Sequence, residues 1–520
     1  MLDDLLTGAH LAVRLPGYLY RTIDLEGGSA LIRRRIEERE ASFLELAQRA
    51  IYSQPDSPYR ALLEHAGCKP GDLVRLVQHE GVDGALLELL GKGVYLTIDE
   101  FKGRRPVQRG SLRLEVDLGL FRNPLSRQHI VSGSGGSRGP RLPVPLDLKN
   151  IYDRALHCCL PILARGGAAW RLAVWKVPGG SLPTMLQHAL IPRTLDRWFL
   201  MVGPRRPGIN PRYRWSSSMV GWISRLVGRP VPWAECVSLD DPLPIARWLA
   251  GVLAEGRRPH LDTFPGAAVE LCRAARTAGI DLAGASLSLA GEPLTAARLA
   301  TIQGMGIDAV SRYSTSESGP LGSGCVAAHI ADEQHVLDDC HAIIQPSAAA
   351  AGALPRDALL VTSLRTSTSL VHLNVAFGDR AVLSERRCGC PLERVGWMRH
   401  MSDIRSYEKL TAHGMTFLDS DVIRVLEQTL PARFGGGAND YQLVESAEPD
   451  GRPSLILRMH PRLPACREDT VARAFVEALS SGDGAARLMG QVWLDAAAVR
   501  VVREAPSVSA GGKILHVVGR

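Results

Sequence analysis

Nowhere does the chain approach the roughly eighteen consecutive apolar residues that a membrane span needs, so no membrane partner is expected. Its opening stretch, MLDDLLTGAHLAVRLPGYLYR, sets acids ahead of a short apolar run. It lacks the basic start and small-residue cleavage site of a secretory signal, and the expected location is the cytoplasm. Cysteines number 10 in 520 residues, too few for a disulfide framework in so long a chain. Free thiols or a metal site in a reducing compartment remain. A long basic stripe is missing as well. The 61 lysines and arginines are offset by 54 acids, with short arginine groups such as those at 33–35, 104–105 and 205–206. Nucleic acid is therefore not an expected partner. No internal repeat stands out, and the Ala-rich SAAAAGA at 347–353 is the one biased tract.

What is present fits a folded enzyme. Hydrophobic residues make up 45% and charged residues 22%, with both signs throughout, so the chain can bury a core. A single core stops growing well before this length, and a large domain plus a smaller one is expected. The net charge of +7 suits a protein that attracts a polyanion such as ATP or coenzyme A.

Residues 30–100 read as mostly helical, with Leu44, Ala47 and Ile51 at helical spacing and punctuation near Pro55, Pro58 and Gly71. From about 130 to 390 strand-like and helix-like runs alternate, which argues for an α/β domain. There, helix-like AAVELCRAARTAGI precedes strand-like ASLSLA; a turn and helix in GEPLTAARLATIQGMGI lead to a further strand, DAVSRYS. Such a sheet gathers its loops at one edge, where ligands bind. Residues 195–260 are rich in Pro, Arg and Trp; Trp198, Trp215, Trp222, Trp233 and Trp248 are read as core or interface anchors. Beyond about 405 the rhythm changes: Val422, Leu426 and Leu430 mark a helix face, YQLVESAEPDGRPSLILRMH a strand pair, and a helix from about Thr470 precedes strand-like AVRVVRE. This predicts a small α+β module.

Five segments carry chemistry. VSGSGGSRGPR at 131–141 is a Gly/Ser loop that brings backbone N–H groups close to phosphate oxygens, or else a surface linker; it lacks the lysine spacing of a P-loop. LSLAGEPL at 287–294 leads to SRYSTSESGPLGSGC at 311–325, which sets an aromatic ring, three hydroxyls and a carboxylate on one loop. A purine stacks well on such a ring, and a carboxylate holds Mg²⁺ on a phosphate; a plain polar loop is the bland alternative. Gly378-Asp379 after a strand, the run from Arg399 to Lys409, and Gly511-Gly512-Lys513 complete the set.

In this order the segments resemble the adenylate-forming superfamily of acyl-CoA ligases, peptide-synthetase adenylation domains and firefly luciferase, most closely its phenylacetate-CoA ligase branch, from about residue 90 to the end. The resemblance implies a large N-terminal α/β domain over 1–403, whose first 100 residues are a helical lead-in, and a small mobile α+β lid over 404–520. Ser134, Gly135 and Ser137 match the phosphate loop, with Gly136 and Arg138 departing from its usual threonine and glycine. Gly291, Glu292 and Pro293 match the stretch along the adenine. Tyr313, Thr315, Ser316 and Glu317 fall on the aromatic-x-x-Thr-Glu motif, Glu317 as the Mg²⁺ carboxylate, with Ser316 in place of the threonine. Asp379 matches the ribose-binding aspartate; Arg399 or Arg405 is the hinge arginine, with Asp403 the pivot; Lys513 matches the lid lysine that reaches the carboxylate and the α-phosphate.

Cys388-Gly389-Cys390 forms a Cys-x-Cys in a tight turn, and Cys325 and His335 follow the adenylate loop. Three thiolates and one imidazole satisfy tetrahedral Zn²⁺, and the branch resembled carries such sites; His341 and Cys340 are possible substitutes, and ordinary buried thiols with a surface histidine are the alternative. The expected reaction is ATP- and Mg²⁺-dependent activation of a small carboxylic acid to an acyl-adenylate, releasing pyrophosphate. Transfer to coenzyme A follows, with a carrier-protein thiol or an amine as other acceptors; a homodimer and an inactive adenylate-binding protein stay open. Phe264 and Ala290 are expected pocket residues.

Overall fold

In the computed structural model of the chain the described residues are 2–127, 129–133, 143–192, 194–203, 212–346, 354–406, 409–412, 415–447, 453–479, 499–508 and 514–519. Helices dominate the first hundred, as the spacing predicts. Two of them are α1 (Leu25–Glu37) and α2 (Pro70–Gly91). The Asp24 carboxylate starts α1 by accepting from the Gly27 N–H at 2.7 Å, which satisfies one of the donors a helix N-terminus leaves open. Farther on, α3 (Leu148–Ala164) is started the same way: Asp147 accepts from Asn150 N–H at 2.6 Å.

The centre is a six-stranded parallel sheet of β1 (Arg171–Lys176), β2 (Leu195–Leu200), β3 (Ala234–Cys236), β4 (Pro259–Thr263), β5 (Ser286–Ala290) and β6 (Asp308–Arg312). Its order is β6-β5-β4-β1-β2-β3. Every residue of β4 and β5 is buried, the mark of a sheet covered on both faces. Alternation along β1 shows why. Leu172 and Val174 join the core built with α3, whereas Ala173 and Trp175 join the core of the opposite face, beneath α5 (Pro265–Thr277) and α6 (Ala296–Gln303). Leu172 and Val174 each contribute about 1.5–3 kcal/mol by leaving water. Between β1 and β2 runs α4 (Pro178–His188).

A second, antiparallel sheet comes next: β7 (Gly322–Gly324), β8 (Gln334–Val336), β9 (His341–Ile344), β10 (Ala358–Ser363), β11 (Val375–Glu385) and β12 (Arg399–Ser406), ordered β7-β8-β12-β11-β10-β9. Gly378 and Asp379 lie within β11, not after a strand, because the ladder to β12 continues through Asp379↔Ser406. The C-terminal α+β unit has the order β15-β14-β13-β16, from β13 (Tyr441–Ala447), β14 (Pro453–Met459), β15 (Val499–Val502) and β16 (Val517–Gly519). Helix α7 (Glu468–Leu479) begins close to the expected Thr470, and Val422, Leu426 and Leu430 pack with Leu443 and Phe475 in a core of their own. The Pro-Asp-Gly turn lies outside the described residues.

Of the tryptophans, Trp198 is a core anchor at 1% exposure and Trp248 donates to Asp196 Oδ2 at 2.7 Å. Trp215, Trp222 and Trp233 are exposed and add nothing to the core. Trp222 and Trp233 pack edge to face at 5.7 Å, and the Arg225 guanidinium covers Trp233, so these rings bury surface on one another.

Among the buried histidines of the large part of the molecule are His260, His341 and His372. Burial pushes His341 down to about 3 and the other two well below the usual imidazole range. The unfolded chain therefore binds more protons as pH falls below about 6.5, and their contribution to stability is present above that value and lost toward acid. Asp338, pushed up to about 6 by burial, and Asp440, also raised by burial, act oppositely, but His129, His188 and His400 are lowered by burial as well and the histidines outnumber them. Thermal melts should show Tm falling from about pH 7.5 to about pH 5 and His341→Gln flattening that slope; an unchanged Tm would refute the assignment.

Candidate active site

Parallel strands bring all their C-terminal ends to one edge. The chain steps outward from β1 to β2 and β3, then returns to place β4 on the other side of β1, so loops diverge between β1 and β4. Open α/β sheets hold ligands at such switch points. A cavity of about 200 Å³ lies there. Its wall includes Lys176 at the end of β1, Phe264 after β4, Ala290 and Gly291 after β5, and Arg312 at the end of β6. Thr315 and Ser316 close it from the following loop. Gly291 leaves β5 at φ 88°, a backbone region that favours glycine and keeps the strand end free of a side chain.

The loop after β6 faces two ways. Successive strand residues project to opposite sides. Arg312 reaches back to Asp262 of β4, at 2.7 and 3.0 Å, while the Tyr313 hydroxyl donates to Asp379 Oδ2 on β11 at 2.6 Å. Thr315 Oγ1 accepts from Ser318 N–H at 2.9 Å, which tightens the turn. Glu317 is buried at 6% exposure and faces Lys102 Nζ at 3.7 Å. Gly319, at φ 88°, lies flat on the Arg154 guanidinium, where a Cβ would come within 2.8 Å of Cζ.

Glu292 and Pro293 point elsewhere. The Glu292 carboxylate accepts from Gly266 N–H at 2.8 Å, from Arg298 at 2.8 Å and from Ile514 N–H at 2.9 Å. Arg298 is fully buried; it donates to the Pro293 and Ile514 carbonyls and pairs with Glu427, which also holds His516 at 2.6 Å. Nearby, Asn439 donates to the Gly266 carbonyl and to Glu270, and Asp440 pairs with Arg273 at 3.1 Å. The C-terminal unit thus rests on the active-site edge through polar groups. Ser134, Gly135, Ser137 and Lys513 lie outside the described residues.

The two hinge candidates differ. Arg399 is tied to the Ile343 carbonyl at 2.6 Å and to Asp83 and Asp338 at 3.2 Å, which fixes it between α2 and the second sheet. Arg405 pairs with Asp332 at 2.7 Å and with Asp403 at 3.3 Å. Asp403 stands at φ 51°, and Asp332 also accepts the backbone N–H groups of Asp403 and Ile404. Neither arginine lines the cavity.

The cysteine set converges. His335 is fully buried, not a surface residue; its Nδ1 faces the Trp397 carbonyl at 2.7 Å, which leaves Nε2 aimed at Cys390 Sγ, 3.1 Å away, and Cys388 Sγ, 3.6 Å away. A hydrogen bond from Cys325 and the His335 ring hold the Cys390 thiol down to about 3. Ligand atoms of Cys325, His335, Cys388 and His400 lie within 4.8 Å of one another. His400 was missed by the sequence reading; its ring lies 4.2 Å from that of His335, a proximity that the spacing of 335 and 400 along the chain conceals. Cys390, the predicted fourth ligand, falls outside that group but pairs with His335, which gives five candidate donors for a site of four, and this donor chemistry fits Zn²⁺. Cys340 and His341 do not join it. Cys340 groups instead with His157 and Asp339, where Arg35 also pairs with Asp339, because β9 lies at the opposite edge of the second sheet from β8.

The sequence reading also missed the buried charges behind the cavity. Asp262 is fully buried and binds Lys176 at 2.7 Å, Arg312, and His188 at 2.9 Å. Burial alone would raise its carboxyl; Arg312, Lys176 and His188 outweigh it and hold Asp262 well below the usual range. Arg312 also donates to Cys158 Sγ at 2.7 Å. The available signal was a charge inside an apolar strand, Lys176 in RLAVWKV and Asp262 in HLDTF.

No protein-family profile matches the sequence, and no curated protein does. Solved structures do. The chain is similar to a 2-hydroxyisobutyryl-CoA ligase in complex with 2-HIB-AMP and CoA, at TM-score 0.49 and 15% identity over 94% of this chain and 90% of that one. It is similar to the amide bond synthetase McbA from Marinactinospora thermotolerans, at 0.41 and 13% over 92% of each chain. It is also similar to the O-succinylbenzoate coenzyme A synthetase MenE from Bacillus subtilis in complex with AMP, at 0.43 and 11% over 85% and 81%.

Proposed function

We propose that the chain activates a carboxylic acid with ATP, releasing pyrophosphate, and passes the acyl group to a thiol, coenzyme A first. The observation that carries this reading is the meeting of Gly291, Thr315 and Ser316 in one cavity at the switch point, with the Tyr313–Asp379 pair on the far side of the same loop. The acid lies in the cavity and the nucleotide against Tyr313. Asp379 accepts the ribose hydroxyls. In-line attack of the acid on the α-phosphate needs positioning and charge stabilisation, with no covalent enzyme intermediate. Glu317, a single buried carboxylate beside Thr315, fits a cation that keeps waters and phosphate oxygens as its other ligands. When bound, Mg²⁺ there neutralises charge on the phosphates. Residues 404–520 form the lid and 1–403 the large domain, with Arg405 and Asp403 at the hinge. Cys325, His335, Cys388 and Cys390 or His400 hold structural zinc.

ATP–pyrophosphate exchange with a panel of acids tests the reading; no signal with any acid would sink it. Asp379→Ala should raise the KM for ATP about 10- to 100-fold, the scale of lost charge-assisted hydrogen bonds. A change confined to acid selectivity would move Asp379 out of the nucleotide site.

A further inference from the structure

We infer that the cavity takes an acid carrying a second anionic group, a dicarboxylic acid, whose second carboxylate is held by Lys176 and Arg312 at the switch point; this rests on the proposed adenylation. The charged residues of the wall are Arg154, Lys176 and Arg312, with no acid among its described residues. Their nearest counter-charge, Asp262, is fully enclosed behind them and shared by both Lys176 and Arg312. His188, its third partner, is kept neutral by burial. One positive charge is therefore left over at the end of β1 and β6.

Arg154 adds another. Its Nε and Nη2 are buried without a hydrogen-bond partner, as is Arg312 Nε. Burial presses the Arg154 guanidinium down to about 10, although Glu317 contributes an opposing charge from the adenylate loop. Excess charge in a closed wall is costly unless a ligand supplies the counter-ion. The side chains of Lys176 and Arg312 are only 9% and 10% exposed, so solvent does not do so.

The phosphates of ATP are the other anions in reach. Thr315 and Ser316, beside Glu317, border the same cavity, but Arg312 turns away from Tyr313 and Asp379 to Asp262 on β4, where it meets Lys176 on the sheet side of the wall. The cavity, about 200 Å³, limits the acid to a small one. A second carboxylate suits the guanidinium of Arg312 and the ammonium of Lys176, because a planar anion accepts from both at once.

The test compares pyrophosphate exchange by the full chain for short aliphatic dicarboxylic acids and for their monomethyl esters, which keep the shape and remove one charge. The diacids should be favoured in kcat/KM by about 100-fold or more. Lys176→Met should shrink that ratio to below about 10, and Lys176→Arg should keep it. Preference of the unaltered protein for esters or neutral acids overturns the inference and leaves adenylation standing, and this arm needs no variant to fold. A ratio unmoved in Lys176→Met with a raised KM for ATP overturns it in favour of a phosphate contact. Absence of exchange with every acid removes both the inference and the reading beneath it.

Discussion

Lys513→Ala is expected to slow adenylate formation by about two to three orders of magnitude, the scale for losing one preorganised electrostatic stabiliser. Transfer from a chemically made acyl-adenylate should be largely spared. A lysine near a chain end is usually a solvated charge. Here two glycines precede it in SAGGKILHVV, which permits close backbone approach to a ligand. The next residue is anchored: Ile514 donates its N–H to Glu292 and accepts from Arg298 through its carbonyl, and Glu292 adjoins Gly291 of the cavity wall. An ammonium placed there would bridge the substrate carboxylate and the α-phosphate during the first half-reaction alone. Measuring both half-reactions on one preparation separates the cases: equal loss in both means misfolding, and no loss in the first removes Lys513 from the mechanism.

The second large effect concerns metal. Protein purified without chelator should hold about one zinc per chain, by the stoichiometry of a closed tetrahedral site. Closed structural sites contribute about 10–16 kcal/mol in isolated fingers, so Cys388→Ser should lower Tm steeply while turnover per folded molecule falls little. With His335 committed through Nε2, Cys390→Ser and His400→Ala compete for the fourth position. The variant that loses zinc names the ligand. Zinc near zero in the unaltered protein would leave five donors around an ordinary thiol cluster, kept together by the hydrogen bonds of Cys390 and by Arg386 beside Cys325.

Much of the fold was legible because buried parallel strands write themselves as short apolar runs such as SLSLA, with turn glycines at their ends. Gly291, Thr315 and Ser316 were legible as candidate site residues for a related reason, since small and hydroxylated residues at a strand end have little packing purpose. Phe264 and Ala290, expected at a pocket, line the cavity. Glu292 shows the limit: one residue from the cavity, its carboxylate turns to the C-terminal segment, and only the partner 222 positions away explains that direction. Lys176 and Asp262 were illegible because each is read singly as a surface charge, whereas strands β1 and β4, distant in sequence, are neighbours in the sheet. Arg399 and Arg405 likewise differ in the carboxylates that the fold brings near each of them.

The seam between the C-terminal unit and the active-site edge, made by Arg298, Glu292, Glu427, His516, Asn439 and Asp440, has a thermodynamic consequence. These contacts are charged or hydrogen-bonded. When such groups part they regain hydration that nearly replaces what they lose, whereas an oily interface would have to expose apolar surface at full cost. The seam is therefore specific in register yet costs less to open than an oily one, and because its charges are buried while it is closed, salt screens it little.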